Sequence, residues 1–183
     1  MKVSDLPLEG LKLIELKIFY DDRGFFMESY QEERFSKLGL TNRFVQDNCS
    51  RSTPGVIRGL HYQTNPNQGK LVGVIRGKVW DVVVDIRAKS PTFGKWFGIE
   101  LNDLEGKLLW VPPGFAHGFC AHGNEDASVM YKVDQFYSPT GEGGIRFDDP
   151  ELGIKWPTER KPIVSDKDRA LPTFAEYARK PVF

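Results

Sequence analysis

Short β-branched runs, broken repeatedly by proline and glycine, constrain this chain more than any other feature. Val79-Trp80-Asp81-Val82-Val83-Val84-Asp85-Ile86, Lys107-Leu108-Leu109-Trp110-Val111 and Ser128-Val129-Met130-Tyr131-Lys132-Val133 have strand composition and partial alternation. Leu71-Val72-Gly73-Val74-Ile75 is a further strand, stopped by the Arg76-Gly77-Lys78 turn. Between such runs lie Thr53-Pro54-Gly55, Ser90-Pro91-Thr92, Pro112-Pro113-Gly114 and Ser138-Pro139-Thr140-Gly141. Strands this short, punctuated this often, argue for an antiparallel sandwich or barrel and against a βαβ fold. Helix signals are few: Gln31 to Leu38 has room for two turns, and a second short helix is expected near Asp166 to Tyr177. No repeat, low-complexity tract or linker divides the chain, so one domain over residues 1–183 is expected.

Charge and cysteine usage narrow the partners. Lysine plus arginine equals aspartate plus glutamate at 25 each, so no global field draws in nucleic acid or an anionic membrane. Any phosphate must be held by locally placed arginines and lysines. Cys49 and Cys120 are isolated thiols without metal-type spacing, which fits a reducing compartment. The N-terminus lacks the apolar core of a signal peptide, and no run is long enough to span a bilayer. A cytoplasmic protein with neither nucleic-acid nor membrane partners is expected.

Two clusters carry chemistry. In Arg58-Gly59-Leu60-His61, with Lys70 following in Gln68-Gly69-Lys70, a histidine lies between two cations. A base so flanked suits a site that binds an anion and removes a proton from it near neutral pH. The second cluster is Val111-Pro112-Pro113-Gly114-Phe115-Ala116-His117-Gly118-Phe119, in which a tight turn aims His117 inward from the start of a strand. The spacing Pro112-x-Gly114-x-x-His117 matches the second motif of cupin barrels. A metal-binding cupin adds a His-x-His pair, but here the first cluster reads His61-Tyr62-Gln63. Two scattered histidines make a poor transition-metal site, so no metal is expected. His122, in the polar stretch His122-Gly123-Asn124-Glu125-Asp126, reads as a solvated loop residue.

Taken in order, the motifs from Ile18 to Leu171 resemble the dTDP-4-dehydrorhamnose 3,5-epimerase family, metal-free cupins of deoxysugar biosynthesis. The pieces are Asp22-Arg23-Gly24-Phe25-Phe26-Met27-Glu28, Val45-Gln46-Asp47-Asn48, Arg58-Gly59-Leu60-His61-Tyr62-Gln63 and Gln68-Gly69-Lys70-Leu71-Val72. Gly77 to Arg87, Ser90 to Gly94, Pro112 to Phe119, Tyr131-Lys132, Asp148-Asp149-Pro150 and Ser165-Asp166-Lys167-Asp168 complete the series. The resemblance implies a mainly β, cupin-type jelly roll of antiparallel strands with a few short helices. It implies no cofactor, and a dTDP-4-dehydro-6-deoxy sugar as substrate, inverted at the two carbons flanking its ketone. Inversion needs a base, an acid across the ring and a cation near the carbonyl oxygen.

The resemblance assigns those roles: His61 the base, Tyr131 the acid, Lys70 the enolate-stabilising cation, Asp168 the carboxylate that pairs with the histidine. Arg23, Glu28, Arg58, His117, Glu142 and Lys167 match family substrate-contact positions. Gln46 and Asn48 occupy same-face positions and offer amide groups to substrate. Phe19, Phe26 and Tyr137 offer stacking surface for thymine or sugar. The family is dimeric, with part of each site supplied by the neighbour through N-terminal strands, so a homodimer is implied. Two departures stand out. Thr140 and Gly141 replace an acidic and a bulky polar residue, so the Gly141-Glu142-Gly143-Gly144 run reads as a more flexible loop; Phe147 stands where tryptophan is more usual. Competing readings are a mono-epimerase acting at C3 or C5 alone, a non-catalytic nucleotide-sugar-binding cupin, and a metal-dependent cupin oxygenase.

Overall fold

Each run read as a strand is one. The structure, a computed structural model, describes residues 1–158 and 161–183. In chain order the first elements are β1 (Lys2–Asp5), β2 (Lys12–Glu15), β3 (Ile18–Asp21), β4 (Gly24–Met27), α1 (Glu32–Lys37), β5 (Gln46–Ser52) and β6 (Ile57–Gln63). Then come β7 (Lys70–Arg76), β8 (Lys78–Asp85), β9 (Trp96–Asn102), β10 (Lys107–Val111), β11 (Phe115–Ala121), β12 (Ala127–Val133) and β13 (Glu142–Gly144). The helices α2 (Asp166–Arg169) and α3 (Phe174–Arg179) close the chain. Strands run β1-β2-β10-β7-β12-β5 in one sheet and β13-β6-β11-β8-β9 in a second; β3 and β4 pair only with each other. Neighbours in both large sheets are antiparallel, giving the mainly β sandwich expected.

The core lies between the two large sheets. Val72 and Val74 of β7, Leu109 of β10 and Val129 of β12 meet Val79 and Val83 of β8, Leu101 of β9 and Phe119 of β11. Each fully buried valine or leucine contributes about 1.5–3 kcal/mol. The five-stranded sheet is also covered outside, where Val82 and Val84 pack beneath Phe174 and Tyr177 of α3. Burial on both faces explains why β8 reads as Val82-Val83-Val84 instead of a clean alternation. The six-stranded sheet is covered by α1, whose Phe35 packs on Ile14, Leu71 and Trp110.

The expected helix near Asp166 to Tyr177 is two helices. Pro172 has no N–H to donate and its ring clashes with the preceding turn, so α2 stops at Arg169. A new helix starts after Thr173, whose hydroxyl and the Glu176 carboxylate form a reciprocal capping box. The Gly141 to Gly144 run, expected as a flexible loop, is corrected: Glu142–Gly144 is β13, paired with Gln63, Tyr62 and His61. Its glycines serve close approach, since a Cβ on Gly144 would lie 2.5 Å from the Leu60 carbonyl oxygen.

Candidate active site

The site begins where β6 and β11 cross. A Cβ on Gly59 would sit 2.6 Å from Gly118 Cα, and one on Gly118 would sit 2.6 Å from the Arg58 carbonyl oxygen. Only two glycines let these strands touch; Gly59 also holds φ +120°, open to glycine alone. The ladder slips at this point, between His117 and Phe119, and His61 comes opposite His117. Both histidines line a cavity of ≈ 710 Å³, within the range that takes a small-molecule ligand.

A different carboxylate holds each histidine. His61 Nε2 lies 2.8 Å from Asp168 Oδ1, and the other Asp168 oxygen accepts the Gly59 N–H at 3.1 Å. Asp168 is only 4% exposed. It stands in the first turn of α2, where its own N–H donates to the capping Ser165 hydroxyl. Burial pushes the Asp168 carboxyl upward, but hydrogen bonds from His61 and the Gly59 N–H outweigh it and hold it below the usual carboxylate range. His117 Nε2 lies 2.9 Å from Asp81, which is fully buried. Burial pushes the Asp81 carboxyl up, against the opposing pull of His117. Sequence reasoning missed Asp81. The signal was there: an acid alternating with Val79 and Val83 in a strand must face the core, and needs a partner there.

Lys70 and Tyr131 complete the inner wall. Val133, two residues past Tyr131 on the same face of β12, pairs with Lys70 at the start of β7. Burial lowers the Lys70 pKa to about 8, against the weaker opposing pull of Asp134 and Glu142. Among the described residues no carboxylate lies within ion-pair distance of its ammonium. The Tyr131 phenol is raised by burial and, less, by Glu142, with Arg58 opposing. Its hydroxyl has no hydrogen-bond partner among the described residues, so both groups are free to engage a ligand.

The outer wall comes from β5, β6 and β13. Gln46 and Asn48 share a face, as their spacing required, and Gln46 Nε2 donates to Asn48 Oδ1 at 2.9 Å. Arg58 donates to the Ser52 hydroxyl and the Arg51 carbonyl, and among the described residues no carboxylate pairs with its charge. Glu142 Oε2 accepts from the Tyr137 hydroxyl and from Lys167 Nζ, each at 2.7 Å. Burial raises the Glu142 carboxyl, but these bonds together bring it below its ordinary value. Lys167 therefore stands at the rim, behind Glu142. Gln63 and Gln68 also line the cavity and were not read from sequence as site residues.

Besides Lys167, which reaches the cavity only through Glu142, four sequence-predicted residues do not line it. Arg23 sits at the turn of the β3–β4 hairpin, ion-paired with Asp21. Phe19 and Phe26 face each other across that hairpin, 51% and 69% exposed. Glu28 pairs with Arg34 of α1 at 3.1 Å. His122 lies in a loop as read, but the expectation that it is solvated is corrected: its side chain is largely buried, with Nε2 3.1 Å from Glu100 and no hydrogen-bond partner among the described residues. Burial, then nearby Lys78, lowers its pKa, with Glu100 opposing. No group of three or more histidine, cysteine, aspartate or glutamate side chains suited to a metal occurs among the described residues.

Residues 5–176 match the dTDP-4-dehydrorhamnose 3,5-epimerase family. A dTDP-4-dehydrorhamnose 3,5-epimerase of Shigella flexneri is 49% identical over 170 residues, 92% of this chain and 93% of that protein. One of Neisseria gonorrhoeae is 47% identical over 96% of this chain, which spans only 53% of that longer protein. Among solved structures, the dTDP-6-deoxy-D-glucose-3,5-epimerase of Legionella pneumophila, in complex with dTDP-4-keto-L-rhamnose, superposes with a TM-score of 0.91 at 47% identity. That match covers 95% of this chain and 93% of the other, and its fold is cupin-like.

Proposed function

This chain belongs to the dTDP-4-dehydrorhamnose 3,5-epimerase family, and from that membership we propose that it inverts C3 and C5 of dTDP-4-dehydro-6-deoxy-D-glucose. The product is dTDP-4-dehydro-L-rhamnose. The observation that carries the reading is the His61–Asp168 pair, 2.8 Å apart, in a cavity that the Tyr131 phenol and the Lys70 ammonium also line.

His61 takes the proton α to the C4 ketone, breaking a C–H bond and leaving its electrons on the carbonyl oxygen as an enolate. Lys70 faces that oxygen with a charge worth more for being buried. Tyr131, kept protonated because burial raises its pKa, returns a proton to the opposite face of the same carbon. Once His61 has released its proton to solvent and Tyr131 has regained one from it, the second carbon repeats the cycle. Asp168, held ionised by His61 and Gly59, orients the imidazole for both rounds. Arg58 binds diphosphate oxygens, with Lys167 at the rim. Asn48, His117 and Glu142 contact the substrate, and Tyr137 stacks on its base or sugar. No cofactor or metal is used.

The β3–β4 hairpin supports a homodimer. It pairs with neither large sheet and exposes Phe19, Tyr20, Phe25 and Phe26, an apolar surface suited to a second copy. In that assembly Arg23, Glu28, Phe19 and Phe26 complete the neighbour's site. Unpaired Cys49 and Cys120 support a cytoplasmic location, and no helix among the described residues is long and apolar enough to cross a membrane.

The test is incubation with the dTDP-4-keto-6-deoxy sugar in deuterated water, following label at C3 and C5 by NMR with a reductase trapping product. Label and inversion at both carbons are expected. Label at one carbon alone would make this a mono-epimerase. No label, with nucleotide still bound, would leave a binding protein and remove the mechanism.

A further inference from the structure

Residues 135–138 lead from β12 towards β13 and carry Tyr137 to the cavity mouth, yet belong to no strand. Among the described residues, Gln135, Phe136 and Tyr137 make no backbone–backbone hydrogen bond. Their main-chain groups are held instead by the side-chain amides of three glutamines. Gln68 Nε2 donates to the Gln135 carbonyl at 2.8 Å, and Gln63 Nε2 donates to that of Phe136 at 3.1 Å. The Tyr137 N–H donates to Gln46 Oε1 at 3.1 Å, and the Ser138 N–H to Gln63 Oε1 at 2.9 Å. One segment is thus gripped residue by residue from the start of β5, the end of β6 and the loop before β7.

Gln63 is the hub. It is 3% exposed, and its nitrogen donates to a second carbonyl, that of Pro66, at 3.1 Å. The nitrogen meets only acceptors among the backbone groups it touches, and the oxygen meets an N–H, so the amide fits one way round. No other side chain of this size offers two donors and an acceptor from one neutral group. Gln46 has both amide ends engaged, by Tyr137 N–H and by Asn48.

We propose that Gln63, with Gln46 and Gln68, is a positioning residue that holds Tyr137 as a preformed stacking surface for the substrate's base. The proposal rests on the reading of Tyr137 as a stacking residue. The clamp removes the cost of ordering a loop on each binding event, so its loss weakens binding more than turnover. The Tyr137 hydroxyl, bonded to Glu142, fixes the far end of the ring.

The test compares Gln63→Met, Gln68→Ala, Tyr137→Ala and the Gln63→Met/Tyr137→Ala double variant in the full chain. Three quantities are read: amide hydrogen exchange over residues 134–141, dTDP affinity by calorimetry, and the KM-against-kcat split. Gln63→Met should speed exchange at Ser138, weaken dTDP roughly tenfold and raise KM in proportion, with kcat within about twofold of wild type. The double variant should bind dTDP no more weakly than Tyr137→Ala alone, because the clamp acts through that ring. Gln68→Ala, at a half-buried position, should show the same signature in smaller degree even if Gln63→Met folds poorly. Unchanged exchange, or a loss that adds in full to that of Tyr137→Ala, would overturn the clamp. Wild-type dTDP affinity in Tyr137→Ala would instead remove the stacking reading, leaving the exchange result to judge the clamp.

Discussion

Lys70 shows how function and stability oppose each other at one residue. Its pKa falls from 10.5 to about 8 because the charge is buried without a close carboxylate. The unfolded chain therefore holds a proton more tightly than the folded one between those values, and stability rises with pH across them. Below about pH 8 the buried ammonium costs the fold on the order of 3 kcal/mol. Lys70→Met should thus raise the melting temperature at pH 7 while removing most activity. The wild-type enzyme should lose kcat/KM as pH rises through about 8, when the cation is lost, and a rate profile flat to pH 10 would exclude Lys70 as the electrostatic partner. At Asp168 the carboxylate is held ionised, so Asp168→Asn leaves the shape and removes the charge that orients His61. A fall in kcat of roughly 10²-fold or more is expected, with dTDP affinity near wild type.

At the scale of the element, α2 is the part whose geometry matters most for its size. It spans Asp166–Arg169, and its position is set by the Ser165 cap, which receives the Asp168 N–H. Ser165→Ala removes that acceptor at a cost of about 1 kcal/mol. Because the residue losing its cap bond also holds His61, kcat should fall further than so small a stability change would suggest. Proton exchange at the substrate carbons reads this directly. If exchange stays at the wild-type rate while the melting temperature drops, α2 is placed by contacts other than its cap.

For the whole molecule, the exposed β3–β4 hairpin carries the prediction of assembly. Replacing Phe19 and Phe26 by serine should leave the sandwich folded, since neither side chain joins the core, but shift the mass in light scattering from dimer towards monomer. Activity should fall with the dimer if Arg23 and Glu28 serve the neighbour. A variant that is monomeric and fully active would confine the whole site to one chain. A variant still dimeric would place the interface elsewhere.

The strands β7, β8, β10 and β12, and the turns between them, were legible because their signals are local. Alternation, β-branching and Pro-Gly punctuation act within a few residues. The residues proposed as base and cation, His61 and Lys70, were legible as a local cluster, whereas Tyr131 was singled out as the acid only through the family resemblance. The histidines' carboxylate partners were less so: Asp168 lies 107 positions from His61, and its role came from family resemblance, while Asp81, 36 positions from His117, was not read at all. Such bonds depend on strand order and register across two sheets, which no local period encodes. The Gly141 to Gly144 run makes the same point in reverse. Taken alone, glycines mean freedom; beside β6, where neighbouring atoms fill the space a Cβ would need, they mean the tightest packing near the site. The glutamine clamp is of this kind too: three scattered amides become one device only when β5, β6 and the loop before β7 converge on a single segment.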